Sequence, residues 1–61
     1  MLMFYLAMLD TPEQKSKFQM IYENYTGQIL QTAHSLARNY MDAEDIAQDV
    51  FLKIINNIDT I

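Results

Sequence analysis

Asp42-Ala43-Glu44-Asp45-Ile46-Ala47-Gln48-Asp49-Val50-Phe51-Leu52-Lys53-Ile54-Ile55-Asn56-Asn57-Ile58 decides the fold. At 100° per residue, Ile46, Val50, Ala43, Ile54, Ala47, Ile58 and Phe51 fill one arc, with Ile55 at its edge, as in an amphipathic helix with one buried side. Asp42 can cap this helix, and the carboxylates that follow sit in the first turn against the positive end of its dipole. The opposite side is polar. Asp45, Gln48, Asp49 and Asn56 surround Leu52 there, at steps of 3, 4, 7 and 11 residues from Asp45.

The helix needs a partner for its apolar arc, and the preceding segment supplies one. Thr11-Pro12-Glu13-Gln14 reads as a helix start, with Thr as N-cap, Pro in the first helical position and Gln three residues after the cap to bond back. Phe18, Ile21, Tyr22, Tyr25, Ile29, Ala33, Leu36, Ala37 and Tyr40 then recur at steps of three and four, a second apolar stripe. Gly27 lies near the middle of this helix, roughly 40 Å long at about 1.5 Å per residue, and costs about 1 kcal/mol against alanine, so a bend or break near Thr26-Gly27 is expected. The short connection around Asn39 to Met41 makes the two helices antiparallel neighbours. Leu30 and His34 fall off the main stripe, with Met20 further round, so a second side of the first helix calls for cover by the N-terminal arm or by chain further downstream.

The chain as a whole fits an all-α class, an antiparallel helical hairpin or a small three-helix bundle. One Gly and one Pro in 61 residues leave little for turns or sheet connections. A domain this small buries only about 60% of its unfolded surface, and without cysteine it has no disulfide to reinforce it. Residues 1–10, an apolar arm or short helix, precede a helical domain over residues 11–61. The arm is too short for the roughly 20 residues of a membrane span, and it lacks the basic start and small-residue cleavage site of a signal peptide. A cytoplasmic setting is expected.

Composition also limits function. A net charge of −4, with four Lys and Arg against eight Asp and Glu, disfavours stand-alone nucleic-acid binding, which needs a basic stripe. It favours a basic protein partner. One histidine cannot build a metal site with scattered carboxylates, so no metal or cofactor is expected, and His34 reads as a surface or half-buried residue. There is no Gly-rich phosphate loop and no Ser-His-Asp set that spacing unites. Asp45 and Asp49 share a helix face without an apolar pocket to shift them, so an enzyme is not expected.

The polar side of the second helix is the informative surface. Leu52 ringed by acids and amides suits a hydrophobic notch edged by arginine or lysine. Each residue also has an ordinary role, since Asp45 can complete the cap, Asp49 can pair with Lys53 at i+4, and single exposed leucines are common.

The run Asp42-Ala43-Glu44-Asp45-Ile46-Ala47-Gln48-Asp49-Val50-Phe51-Leu52, closed by Ile58-Asp59-Thr60-Ile61, resembles the core-binding helix of region two in bacterial RNA polymerase sigma factors of the sigma-seventy family, in particular the small extracytoplasmic-function-type members. Phe18, Ile21, Tyr22 and Tyr25, with Ala33, Leu36, Ala37 and Arg38, resemble the helix before it. The likeness covers nearly all of residues 13 to 61. It implies a helical bundle that docks on the clamp helices of the polymerase beta-prime subunit in transcription initiation. By position, Asp45, Gln48, Asp49 and Leu52 are the expected contacts, with Ile55 and Asn56 at the margin. It also implies a fragment, because in family members promoter DNA is melted and read by segments beyond the core-binding helix. An anti-sigma protein is a further implied partner. The competing expectation is a small helical homo-oligomerisation module, in which Leu52 and the Met1 to Leu9 arm form an interface between copies.

Overall fold

A computed structural model of the chain describes residues 2–61. Within them the regular structure is three helices, α1 (Leu2–Leu6), α2 (Pro12–Leu36) and α3 (Tyr40–Asn56). The first residue of the expected N-terminal arm, Met1, lies outside the described residues.

The start of α2 follows the sequence closely. Thr11 is the N-cap, its side chain accepts from the Gln14 backbone N–H at 3.1 Å, and Gln14 Oε1 accepts in return from the backbone N–H groups of Thr11 at 3.2 Å and Asp10 at 2.9 Å. One glutamine thus satisfies two orphan donors and fixes how the chain enters the helix. Its amide also donates to Asp59 Oδ1 at 3.0 Å, tying the front of α2 to the turn after α3.

The expected break at Thr26-Gly27 is absent, since α2 runs unbroken through both residues for 25 residues. No described glycine has a positive φ, and the Thr26 hydroxyl donates to the Tyr22 carbonyl one turn back. Packing against α1 and α3 offsets the weak propensity of one glycine.

The connection and the start of α3 also differ from expectation. α2 ends at Leu36, and the cap of α3 is Asn39, whose side chain accepts from the Asp42 backbone N–H at 2.9 Å. Asp42 is instead the third helical residue, and its carboxylate accepts from the Arg38 backbone N–H at 3.1 Å. Asn39 therefore does for α3 what Thr11 does for α2. The helix begins two residues before Asp42 and ends at Asn56, leaving Ile58 in the turn that follows, still buried.

The helices α2 and α3 are antiparallel. Tyr22 and Phe51 meet at one end with ring centroids 5.1 Å apart, and His34 and Tyr40 meet at the other at 5.6 Å. Small residues line the middle, where Ala33, Ala43 and Ala47 are buried and let the two backbones come close. Short α1 covers the Phe18-Tyr22-Phe51 end. Tyr5, fully buried, lies 5.7 Å from Phe18, 6.4 Å from Tyr22 and 5.2 Å from Phe51, within the offset range of aromatic pairs. Leu9 is buried as well. Of the two expected architectures, the structure takes the three-helix form.

The apolar stripe of α2 is only partly interior. Phe18 and Ala33 are buried and Ile21, Tyr22, Ile29 and Ala37 half-buried, but Tyr25 is 52% exposed and Leu36 70%. The contact with α3 runs along the four-residue steps, which drift about 40° each round the helix. That leaves Tyr25 and Leu36 on the rim of an open groove with Ile46 and Val50. Tyr40, also expected in the stripe, belongs to the first turn of α3 and is 67% exposed.

Two substitutions test this packing. Gly27 has nothing within 4 Å of where a Cβ would stand, so Gly27→Ala raises stability by about 0.5 to 1 kcal/mol, measured by urea denaturation. The Tyr5 hydroxyl is buried without a hydrogen-bond partner, and burial first, then the neighbouring Tyr22, raise its pKa above the ordinary tyrosine value. The folded protein therefore holds this proton more tightly than the unfolded chain. The contribution is complete below about pH 10 and falls as pH rises beyond it. Tyr5→Phe gains roughly 1 kcal/mol at pH 7 by removing the orphan hydroxyl and flattens the alkaline loss of stability, as thermal melts between pH 7 and pH 11 will show.

Candidate functional site

Helix α3 presents the expected stripe because its 17 residues hold a single helical register from the Asn39 cap onward. Asp45, Asp49, Leu52 and Asn56 fall within a sector of about 60°, and Gln48 and Ile55 lie on one flank, about 60° to 80° from Asp45. All six expected residues are on α3 and share its outward half.

Their environments are not alike. Asp45, Asp49 and Asn56 are exposed, and Gln48 is half-buried. Asp49 pairs with Lys53 at 3.0 Å, with side chains 63% and 74% exposed. An exposed i,i+4 pair of this kind contributes about 0.3 to 0.5 kcal/mol and leaves both groups free to exchange partners.

Leu52 departs from the expectation of a lone leucine standing in a polar surface. It is half-buried and packed against the core cluster, and so is Ile55. The core they pack against draws on all three helices, since α1 also packs on α3 through Tyr5 and Phe51. The outer surface of α3 is thus an acidic and amide rim, Asp45, Gln48, Asp49 and Asn56, set along an apolar seam of Leu52 and Ile55. That arrangement can bind a partner with basic groups over a hydrophobic ridge.

The structure also shows a feature that the wheel of α3 could not. Tyr22, Thr26, Leu30 and His34, at strict four-residue steps on α2, face Tyr40, Glu44, Ala47, Gln48 and Phe51 of α3 across a cleft of about 270 Å³, with Tyr5 at one end. The signal for it was the off-stripe position of Leu30 and His34. The N-terminal arm covers one end of that second side and leaves the rest open. Among the described residues no group of three or more His, Cys, Asp or Glu is placed to hold a metal ion, and no helix is long and apolar enough to cross a membrane.

With this geometry in hand, comparison with known proteins gives one finding. The family model of Sigma-70 region 2 matches residues 21–61, a span that holds most of α2, the Asn39 turn and all of α3. Among the curated proteins and among the solved structures, nothing matches.

A stability measurement separates surface from scaffold here. Asp49→Ala removes an exposed ion pair and changes stability by no more than about 0.5 kcal/mol, whereas Leu52→Ala withdraws apolar contact from the core and costs about 1 to 2 kcal/mol in the same denaturant titration.

Proposed function

Because the chain belongs to the Sigma-70 region 2 family, a family of non-enzymatic transcription initiation factors that bind core RNA polymerase, we propose that the acidic rim of α3 docks on the clamp helices of the polymerase beta-prime subunit. Residues 11–61 form the docking unit in this reading. Asp45, Gln48 and Asp49 are its polar contacts, Leu52 and Ile55 its apolar seam, and Asn56 its margin.

The observation that carries the proposal is the pairing of three exposed or half-exposed polar groups with a seam already fixed in place by the core. A seam anchored in this way loses little side-chain entropy on binding, which favours affinity. Basic groups on the partner would be drawn in by a chain of net charge −4 and screened beyond about 8 to 10 Å at physiological salt. Binding is therefore expected to weaken as salt rises. The described cations, Lys15, Lys17, Arg38 and Lys53, are spread over both long helices and the turn between them, so promoter DNA is not the partner of this surface. The family relationship and the protein partner are both consistent with a cytoplasmic setting, and an anti-sigma protein could compete for the same rim.

A second reading has its own support. Met3, Phe4 and Met8 are exposed on and just after α1, and Tyr25 and Leu36 rim a groove on the far side of the hairpin. Exposed apolar surface of this kind invites self-association, and sedimentation at high micromolar concentration decides it. A strictly monomeric folded chain removes this alternative.

The docking proposal is tested by retention on immobilised beta-prime clamp helices. A double variant Asp45→Lys, Asp49→Lys is compared with a control, Glu13→Lys, Glu23→Lys, which makes the same change in net charge on α2. Charge reversal on α3 should weaken binding by about tenfold to a hundredfold and the control by far less. Equal retention of the two variants would refute the site assignment.

A further inference from the structure

We propose that the cleft between α2 and α3 on the α1 side receives the side chain of an arginine from a basic protein segment. The cleft runs between two aromatic ends. Tyr5, Tyr22 and Phe51 close one, and the His34 and Tyr40 rings, tilted against each other, mark the other. Between them stand Glu44 and Gln48 of α3 on one wall and Leu30 of α2 on the other.

Two observations select the occupant. The volume, about 270 Å³, falls just below the range of roughly 300 to 1,000 Å³ usual for drug-sized ligands, so one side chain fits and a helix does not. No lysine or arginine lines the cleft, while a carboxylate and several aromatic rings do. A planar cation stacks on aromatic faces and pairs with a carboxylate, and guanidinium does both better than ammonium because it is flat, weakly hydrated and forked. An aliphatic occupant would leave Glu44 without a counter-charge across the cleft.

This cleft shares Gln48 with the docking rim but neither Asp45 nor Asp49, and the inference does not depend on docking there. Glu44 and Tyr40 are exposed, so both can be changed without disturbing the core.

The test follows backbone and ring resonances of the full chain at pH 7.5 by heteronuclear NMR while N-acetylarginine methylamide is added. N-acetylcitrulline methylamide, its uncharged counterpart, and N-acetylleucine methylamide are run in parallel. The arginine probe should perturb Tyr22, Leu30, His34 and Tyr40 saturably. Citrulline should bind at least about fivefold more weakly, the size of one exposed ion pair near 1 kcal/mol. Glu44→Gln should weaken the arginine probe by a similar factor, and Tyr40→Leu should weaken it while leaving the spectrum of the core unchanged. Equal perturbation by the leucine probe would mean an ordinary apolar cleft and overturn the proposal. So would arginine shifts confined to Asp45 and Asp49, or resonances of the cleft that move with protein concentration alone, which would assign it to a second copy of the chain.

Discussion

Everything in this small fold turns on one ring. A hairpin of two helices, with alanines in the middle of its contact, cannot bury enough apolar surface to stand well by itself. The fully buried side chain of Tyr5 adds a third wall, joining Phe18 and Tyr22 of α2 to Phe51 of α3. Burying an aromatic side chain is worth on the order of 1.5 to 3 kcal/mol, a large fraction of what a chain of this size can muster. The gain is set against an unpartnered hydroxyl.

That wall also determines what the outer surface looks like. Leu52 and Ile55 of α3 lie half-buried against the core cluster of which Tyr5 is a member. With α1 in place the core reaches round Phe51, and these side chains become the visible edge of the interior, bordered by the carboxylates and amides of Asp45, Gln48, Asp49 and Asn56. Surface and core are then coupled, and a change at Leu52 acts on both. The acidic groups carry no such coupling, which makes them the cleaner reporters of binding.

Much of this was legible in the residues, and the parts that were not share a cause. Thr11, Pro12 and Gln14 announced the start of α2 because capping is a local affair, decided within three residues. Ala43, Ala47, Phe51 and Ile58 announced the inner face of α3 for the same reason of local period. Gly27 misled, because a propensity of about 1 kcal/mol yields to tertiary contact. Asn39 was overlooked in favour of Asp42, since both are good caps and only the backbone decides between them. Tyr25 and Leu36 were read as interior because a wheel has no crossing angle in it. Leu52 was read as standing alone in a polar face because the wheel does not know that a third helix is present. The six candidate residues do lie on the outward half of α3, as their spacing demanded, but Leu52 and Ile55 are half-buried against a core that includes Tyr5, 47 and 50 positions earlier.

That distance bears on how the chain is made. Tyr5 leaves the ribosome 46 residues before Phe51, the difference of the two positions, and synthesis at about 5 to 20 residues per second separates them by seconds. During that interval the uncharged stretch Leu2 to Leu9 first lacks α2, which is still being made, and then lacks α3. The last turns of α3 complete the burial of Tyr5, while Met3, Phe4 and Met8 stay exposed, and the Gln14 to Asp59 hydrogen bond closes behind like a latch.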